Sequence, residues 1–228
     1  MISLAPLCDL PALESERLLL RRLCMRDAPD IYDYSRDAEV ARHVLWTAHT
    51  SPSESRSYIR YMLRRYRLGE PSSWGIVLKR EDRVIGTIGF MWIQEENASA
   101  EVGYSLGRAY WNQGIMTEAL GLVLDFGFRR LKLNRIEAQH EVDNPASGAV
   151  MRKVGMVREG RCASGCATRE NSWMWSFTRR CAATICARIP ESRLLHGRAS
   201  PLRHPGRRQS AGAGPALPRC PRSRPPRR

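Results

Sequence analysis

The stretch of residues 101–120 constrains the fold more than any other part of the chain. Val102, Tyr104 and Leu106 alternate with small or polar residues, which is typical of a half-buried strand. Gly114 ends the tight part of the following loop. Beyond it, apolar residues recur at helical spacing, at Leu120, Val123, Leu124, Phe128 and Leu131. A strand therefore passes through a short loop into a helix, whose free amides and dipole favour binding of a phosphate group.

The loop has a specific pattern at residues 110–119, Tyr-Trp-Asn-Gln-Gly-Ile-Met-Thr-Glu-Ala. This pattern resembles the acyl-CoA loop of the GNAT superfamily of N-acetyltransferases, most closely in the group that acetylates N-terminal amines of ribosomal proteins. Asn112 replaces the family's usual glycine, but Asn tolerates left-handed dihedrals, so we expect the loop to keep its shape. A second match follows at Asn144, Ala146, Ser147, Val150, Lys153, Gly155 and Met156. The resemblance runs from about Leu13 to Gly160.

The resemblance implies an α+β fold with three layers, α/β/α, around a mixed and mostly antiparallel sheet of the acyl-CoA N-acyltransferase type. The residue patterns agree and predict strands at 13–21, 74–78, 83–92, 101–106 and 134–140. Helical spacing and capping residues predict helices at 27–36, 54–68, 117–131 and 144–154. The family further implies a V-shaped splay between the fourth and the fifth of these strands.

The net charge of +14 suggests a nucleic-acid binder, but its distribution argues against that function. Residues 1–160 contain 22 Lys+Arg and 21 Asp+Glu, whereas residues 161–228 contain 15 and 2. The excess therefore belongs to the C-terminal part, and we do not expect the folded part to bind nucleic acid. The seven cysteines lack the spacing of a disulfide scaffold or a zinc site, so no metal is predicted.

The predicted organisation has three parts. These are a leader at 1–12, an N-acetyltransferase domain at 13–180, and a basic, Arg- and Pro-rich disordered tail at 181–228. No signal peptide is evident, and no apolar run is long enough to span a bilayer. We therefore expect a cytoplasmic protein without membrane contact.

The character of the sequence changes after Gly160. Arg, Ala, Pro and Ser dominate, and the two strands that should close the family's sheet are not evident. Residues 173–177 are compatible with one short strand, but its partners are missing from the pattern. A shifted reading frame would permit a string that resembles the family's closing hairpin, so we hypothesise a frame change near Val157–Gly160. Without closing strands, the Ile136 strand would keep an unpaired edge, and the chain as written would be poorly stable or inactive.

The resemblance implies that acetyl-CoA is the co-substrate and that amides of the loop hold its pyrophosphate. Gly114 matters because a side chain there would block close approach. Pantetheine would lie in the splay, with the Leu106 amide facing the thioester oxygen. Asn144 would reach the pantetheine, and a helix-capping role for it is compatible with this contact. The predicted coenzyme A contacts are Leu106, Asn112, Gln113, Gly114, Ile115, Met116, Thr117 and Asn144.

Acetyl transfer to an amine needs a base, polarisation of the thioester and a proton for the departing thiolate. It needs neither a metal nor a covalent intermediate if both substrates are held in line. Glu101 is the candidate base, acting directly or through water, and a solvated strand carboxylate is the alternative interpretation. Ser147 is the candidate proton donor, with helix capping as its alternative. Tyr104 and His140 are interpreted first as structural residues.

The sequence is compatible with three functions. The favoured one is an N-acetyltransferase that moves an acetyl group from acetyl-CoA to a primary amine in a ternary complex, on a protein N-terminus, an amino sugar or a small amine. The second is an inactive acyl-CoA-binding module that lacks its closing strands. The third is a nucleic-acid-binding protein that uses the basic tail, although no aromatic residue for base stacking follows Phe177. A homodimer is left open.

The predicted helix at 54–68 carries five arginines. The favoured interpretation is a solvated basic face. The alternative is contact with an acidic acceptor, because the first two helices flank the acceptor groove in the family.

Overall fold

A single eight-stranded sheet lies at the centre of the computed structural model, which describes residues 2–161 and 172–178. In sheet order the strands are β1 Leu13–Glu14, β2 Leu18–Arg21, β3 Ser73–Leu78, β4 Arg83–Gln94, β5 Ser99–Leu106, β6 Arg135–Glu141, β8 Ser172–Thr178 and β7 Val157–Arg161. Only β5 and β6 pair in parallel, and every other neighbouring pair is antiparallel. The predicted mixed and mostly antiparallel sheet is confirmed.

The helices connect the strands along the described part of the chain. They are α1 Ala5–Cys8, α2 Ala28–Ser35, α3 Ala38–Ala41, α4 Pro52–Leu68, α5 Ile115–Arg129 and α6 Pro145–Lys153, with 3-10 turns at Met25–Asp27 and Arg108–Tyr110. The four predicted helices correspond to α2, α4, α5 and α6. The short helices α1 and α3 carry too few residues for a periodic pattern and were not predicted.

Helices cover both faces of the sheet, which confirms the three-layer fold. On one face, Phe126 of α5 packs edge-on against Trp74 of β3, with the ring centroids 5.3 Å apart. Trp74 pairs across strands with Ile88, so Thr87 points to the opposite face. There, burial of Tyr34 of α2 brings its hydroxyl into hydrogen-bonding range of Thr87 and Ser105. The polypeptide thus forms a sheet with α5 on one face and α2 on the other.

Strand β8 corrects one prediction about the C-terminal residues. It pairs with β6 along the whole strand, from Arg135↔Thr178 to Glu141↔Ser172, and with β7 on its other edge. The expectation that the Ile136 strand keeps an unpaired edge is therefore wrong. The physical reason is that strand pairing uses backbone groups, and the Trp- and Phe-rich run at 173–177 has high β-propensity whatever its origin. The frame-change hypothesis stays a prediction, and the predicted tail at 181–228 lies outside the described residues.

Candidate active site

The loop before α5 presents a row of free backbone amides. Gly114 is the N-cap of α5 with φ +74°, and Asn112 also adopts a left-handed conformation with φ +60°. The loop therefore keeps the shape predicted despite the Asn112 substitution. The first amide to be bonded is that of Glu118, which donates to the Gly114 carbonyl at 3.1 Å. Within the described part of the chain, the N–H groups of residues 112–117 have no hydrogen-bond acceptor.

Space is open above these amides. A Cβ added at Gly114 would meet no atom closer than Nη2 of Arg17, at 3.8 Å. Asn112, Gln113 and Gly114 are exposed, while the side chains of Ile115 and Met116 are buried and fix the first turn of α5 in the core. A buried helix start with exposed, unsatisfied amides and a positive dipole end fits a phosphate group.

Side chains that the sequence did not single out brace the loop. Arg17 of the β1–β2 connection donates from Nε to Glu118 Oε2 at 2.8 Å and from Nη1 to the Gln113 carbonyl at 3.1 Å. Ser15 donates to the other oxygen of Glu118 at 2.5 Å. These contacts join residues about one hundred positions apart, so no local pattern could reveal them. They also place the guanidinium of Arg17 beside the free amides, in an ion pair with the Glu118 carboxylate that balances its charge.

Strands β5 and β6 separate beyond their first residues. They pair only at Ser99↔Arg135, Ala100↔Ile136 and Glu101↔Glu137, although each strand continues further. From Val102 to Leu106, β5 has β4 on one side and no β6 partner on the other. The predicted splay between these strands, the fourth and fifth of the sequence-based count, is confirmed.

The backbone of Leu106 faces this splay. Gly107 donates to the Ile85 carbonyl at 2.8 Å, and backbone groups of successive strand residues alternate in direction. The Leu106 amide and carbonyl therefore point away from β4, toward the β6 side. The Leu106 carbonyl accepts a hydrogen bond from Trp111 Nε1 at 2.8 Å, which leaves the amide for another acceptor. The orientation that was expected of Leu106 is present.

Three polar side chains meet where the splay approaches α6. The Tyr104 hydroxyl lies 2.8 Å from Ser147 Oγ, and Ser147 N donates to Asn144 Oδ1 at 3.2 Å. Asn144 thus caps α6, as its alternative interpretation proposed. Burial raises the pKa of Tyr104, so its hydroxyl is protonated at neutral pH. Tyr104 was interpreted as structural, and its contact with Ser147 was missed because it joins residues 43 positions apart.

Glu101 lies apart from this cluster. It is half-buried, its Oε2 accepts a hydrogen bond from Trp92 Nε1 at 2.6 Å, and Trp92 is its cross-strand partner. Because Glu101 and Tyr104 are three positions apart on one strand, they point to opposite faces of β5. The structure therefore brings Asn144 and Ser147 together but places Glu101 on the other face of the sheet.

His140 has a structural environment. It is 7% exposed, its Nδ1 lies 2.7 Å from the Glu141 carbonyl, and a Cβ on Gly148 would come within 2.6 Å of its Nε2. Burial lowers the pKa of His140. The ring packs beneath the first turn of α6, as the structural interpretation of this residue expected.

A groove opens at the end of β6, beyond the last residue that pairs with β5. It has a volume of about 470 Å³ and mostly apolar walls, with one carboxylate, Glu141. Its lining residues are Ala38, Ala41, Arg42, Val44, Leu45, Trp46, Thr47, Ala48 and Glu141. His43 Nδ1 lies 2.7 Å from Glu141 Oε2, so the ring holds this carboxylate in place. The only sequence signal for this groove was the apolar run at 44–46 between two helices.

One side-chain group in the described residues has the composition of a metal site. His43, Glu141 and Asp143 each offer a ligand atom, all within 4.8 Å of one another. Asp143 is exposed, and His43 already bonds Glu141. The prediction that the protein needs no metal stays a prediction. No helix in the described residues has the length and apolar character that a bilayer crossing demands.

Comparison with known proteins shows where these features recur. A model of the acetyltransferase (GNAT) domain matches residues 17–157. The uncharacterized N-acetyltransferase p20 of Bacillus licheniformis is 38% identical over 148 residues, which cover 65% of this chain and 83% of that protein. The ribosomal-protein-serine acetyltransferase of Escherichia coli is 36% identical over 81 residues, covering 36% of this chain and 45% of that protein.

A solved structure shows the same fold. The ribosomal L7/L12 alpha-N-protein acetyltransferase RimL, in complex with coenzyme A, superposes with a TM-score of 0.66 at 23% identity over 74% of this chain and 98% of its own. Fold, free amides and splayed strands together define an acetyl-CoA-dependent acyltransferase. More narrowly, the chain belongs to the GNAT acetyltransferase family, because the family model covers more than half of it.

Proposed function

We propose that this protein transfers the acetyl group of acetyl-CoA to the N-terminal amine of a polypeptide, by direct attack in a ternary complex. The observation that carries the proposal is the row of unbonded amides at residues 112–117, which lies beside the splay between β5 and β6. Relatives named for acetylation of ribosomal proteins support a polypeptide acceptor over an amino sugar or a small amine.

Backbone groups provide the binding of coenzyme A. The amides of Gln113, Gly114, Met116 and Thr117 bind the pyrophosphate, with Asn112 and Ile115 shaping the loop. Arg17 holds the loop in this shape, since its guanidinium bonds both the Gln113 carbonyl and the Glu118 carboxylate. Pantetheine fits the splay as an added strand would, because residues 102–106 have no β6 partner there. The Leu106 amide polarises the thioester carbonyl.

Ser147 donates the proton that the departing thiolate needs. Its Oγ lies 2.8 Å from the Tyr104 hydroxyl, and the raised pKa of Tyr104 keeps that hydroxyl protonated. Tyr104 can therefore donate a hydrogen bond to Ser147 Oγ and stabilise it as its proton leaves. Asn144 fixes the backbone of Ser147 through the cap bond, and a contact of its side chain with pantetheine is part of the proposal.

Glu101 accepts a proton from the substrate ammonium, directly or through water, and the neutral amine then attacks the thioester. The Trp92 indole donates to Oε2 of Glu101 at 2.6 Å and so orients this carboxylate. Its position on the face of β5 opposite to Tyr104 fits a reaction in which base and acid approach the acyl group from different sides. The groove at Glu141 is where the acceptor enters, because it opens at the splayed end of β6.

The alternative of an inactive module has lost its main support, because β8 pairs with β6 and β7. The nucleic-acid alternative depends on a tail that lies outside the described residues. A cytoplasmic location and a homodimer stay proposals.

Calorimetric titration of the full chain with acetyl-CoA, followed by thiol release with a panel of N-terminal peptides, amino sugars and small amines, tests the proposal. We expect saturable acetyl-CoA binding and the highest kcat/KM with peptides. Binding without release on any amine would leave only an acyl-CoA-binding module, and absence of binding would overturn the assignment of residues 112–117.

A further inference from the structure

Helix α4 carries a stripe of four exposed arginines, Arg56, Arg60, Arg64 and Arg67. At 3.6 residues per turn, their spacing of four, four and three places them within about 80° of one another around the helix. At a rise of about 1.5 Å per residue, the stripe is about 16 Å long. The arginine stripe is therefore a band of positive charge along one face of the helix.

The arginine stripe has no carboxylate partner within the described residues. The neighbouring Arg65 points elsewhere and pairs with Glu70 at 3.5 Å. The one acidic residue of α4, Glu54, accepts bonds from the backbone and hydroxyl of Thr50. Like charges at i, i+4 oppose helix formation, so the stripe is unfavourable for α4 itself.

The rest of the sequence also fails to supply a counter-charge. Residues 161–228 contain 15 Lys+Arg and only 2 Asp+Glu. A segment of that composition would be repelled by the arginine stripe. The described residues and the C-terminal composition therefore offer the stripe no counter-charge, which leaves it accessible to an acidic partner.

The arginine stripe begins at the end of α4 that lies closest to the acceptor groove. Thr47 and Ala48 line that groove, and the chain runs from them directly to Pro52, the first residue of α4. Arg56 and Pro52 line a second groove of about 240 Å³, together with Ala28, Pro29, Tyr32, Asp33 and Arg36. A polypeptide that leaves the acceptor groove along this surface meets Arg56 first and the other three arginines after it.

We propose that the arginine stripe binds an acidic segment of the polypeptide acceptor, downstream of the amine that is acetylated. This inference rests on the proposed function and adds the class of acceptor. Successive arginines of the stripe rise by about 6, 6 and 4.5 Å. Carboxylates on alternate residues of an extended chain repeat at about 6.6 Å, and those at i, i+4 of a helix at about 6 Å, so either acidic segment matches the stripe. Guanidinium groups bind carboxylates through paired hydrogen bonds, which favours arginine over lysine here.

The test uses the full chain and two peptides of 20 residues or so that share their first six residues. The remainder is rich in Asp and Glu in one peptide and in Gln and Ser in the other. The variant is Arg60→Gln with Arg64→Gln, since Gln preserves helix propensity. The control variant is Arg130→Gln with Arg152→Gln, which removes the same charge from exposed positions at the C-cap of α5 and on α6. Melting curves establish that both variants fold.

For the acidic peptide, we expect the stripe variant to raise KM about fivefold with kcat unchanged, as for the loss of exposed ion pairs. The neutral peptide and the control variant should keep their KM values. Raising the salt concentration should raise the KM of the wild type for the acidic peptide but have little effect on the stripe variant. Equal KM values for wild type and stripe variant on the acidic peptide would overturn the proposal.

A second measurement separates this proposal from the proposed function. Fluorescence anisotropy follows binding of the same acidic peptide with its N-terminus already acetylated and a dye at its C-terminus, so no transfer is needed. Binding that the stripe variant weakens supports the acidic-segment surface even if no acetyl transfer is found. If a 20-mer RNA binds through the arginine stripe and the acidic peptide does not, or if light scattering shows that the stripe joins two copies of this chain, the proposal is wrong.

Discussion

The proposed coenzyme A side of the molecule, residues 112–117 with β5 and the start of α6, presents mainly backbone groups. The proposed acceptor side, the groove at Glu141 with the neighbouring α2 and α4, is lined by side chains from separate elements. On the first side, six consecutive amides stay free because Gly114 and Asn112 adopt left-handed conformations. On the second side, the defining contact joins His43 to Glu141 across 98 positions, at 2.7 Å.

This difference teaches which substitutions each side can accept. Backbone amides do not depend on side-chain identity, so Asn112 could replace the family's glycine without loss of the loop shape. A side-chain groove changes its chemistry with each substitution. A family can therefore retain one acetyl donor while its members diverge in their acceptors, and substitutions on the two sides should change different kinetic constants.

The largest effect on the rate is expected at Ser147, because its side chain is the proposed proton donor. Ser147→Ala should lower kcat about 100-fold, because general acid catalysis contributes at least that factor in most enzymes. The cap of α6 should survive, since Asn144 accepts from the backbone N–H of Ser147. Steady-state kinetics with saturating acetyl-CoA measure the effect.

Two further variants control this result. Ser147→Thr retains a hydroxyl and should recover most of the rate. Tyr104→Phe should also lower kcat, and the double variant should be no slower than Ser147→Ala, because groups that act as a unit are not additive. A Ser147→Ala enzyme with kcat within twofold of the wild type would contradict the assignment of Ser147 as proton donor.

A substitution in the loop should change donor binding alone. Gly114→Ala forces a side chain into φ +74°, at a cost of about 1–2 kcal/mol, and places a methyl group over the free amides. We expect the Kd of acetyl-CoA to rise about tenfold and the KM of the amine to stay constant. Calorimetry measures the first quantity.

Gly121→Ala is the matched control, because it lies within α5 and a Cβ there would contact nothing within 4 Å. It should stabilise the helix by about 1 kcal/mol and leave the Kd of acetyl-CoA unchanged. If both alanine variants bind acetyl-CoA as the wild type does, residues 112–117 are not the phosphate site.

The converse substitution lies on the acceptor side. Glu141→Gln removes the carboxylate from the groove and weakens its bond to His43. The KM of a peptide amine should rise about fivefold, as for the loss of one exposed ion pair, while the Kd of acetyl-CoA stays constant. If Glu141→Gln changes the Kd of acetyl-CoA and leaves the KM of the amine constant, the groove at Glu141 binds the donor and not the acceptor.

The two sides also differ in how far the sequence could predict them. The strand–loop–helix at 101–120 is contiguous, so its periodicity gave β5, the loop and α5 within a few residues. The bracing of the loop by Arg17 and the contact of Tyr104 with Ser147 join distant residues, and no spacing reveals such pairs. The groove around Glu141 was not predicted, because its walls come from α3, the 44–48 segment and the end of β6.

The closing strands show a different limit. The pattern after Gly160 lacked alternation, and so the sequence predicted an unpaired β6 edge. Residues 172–178 nevertheless pair with both β6 and β7. Backbone pairing needs only an extended segment beside an open edge, which composition alone does not exclude.

The smallest expected effect compares two histidines, one on each side. Burial lowers the pKa of both His140, beneath α6, and His49, near the end of the loop before α4. A histidine whose pKa is lower in the folded state binds more protons when unfolded, so its contribution to stability is complete above its unfolded pKa near 6.5 and is lost as the pH falls below that value. His140 is 7% exposed, whereas His49 is half-buried and lies near the Glu54 carboxylate, which opposes the shift.

His140→Asn should therefore remove more of the destabilisation between pH 7 and pH 5 than His49→Asn, measured as the difference in melting temperature at each pH. Asn retains an amide N–H in place of Nδ1–H for the bond to the Glu141 carbonyl, so a change in the slope with pH reports the lost titration. If the melting temperatures of wild type and His140→Asn fall in parallel with pH, His140 titrates alike in the folded and unfolded chains. Its burial beneath α6 would then contribute nothing to the pH dependence of stability.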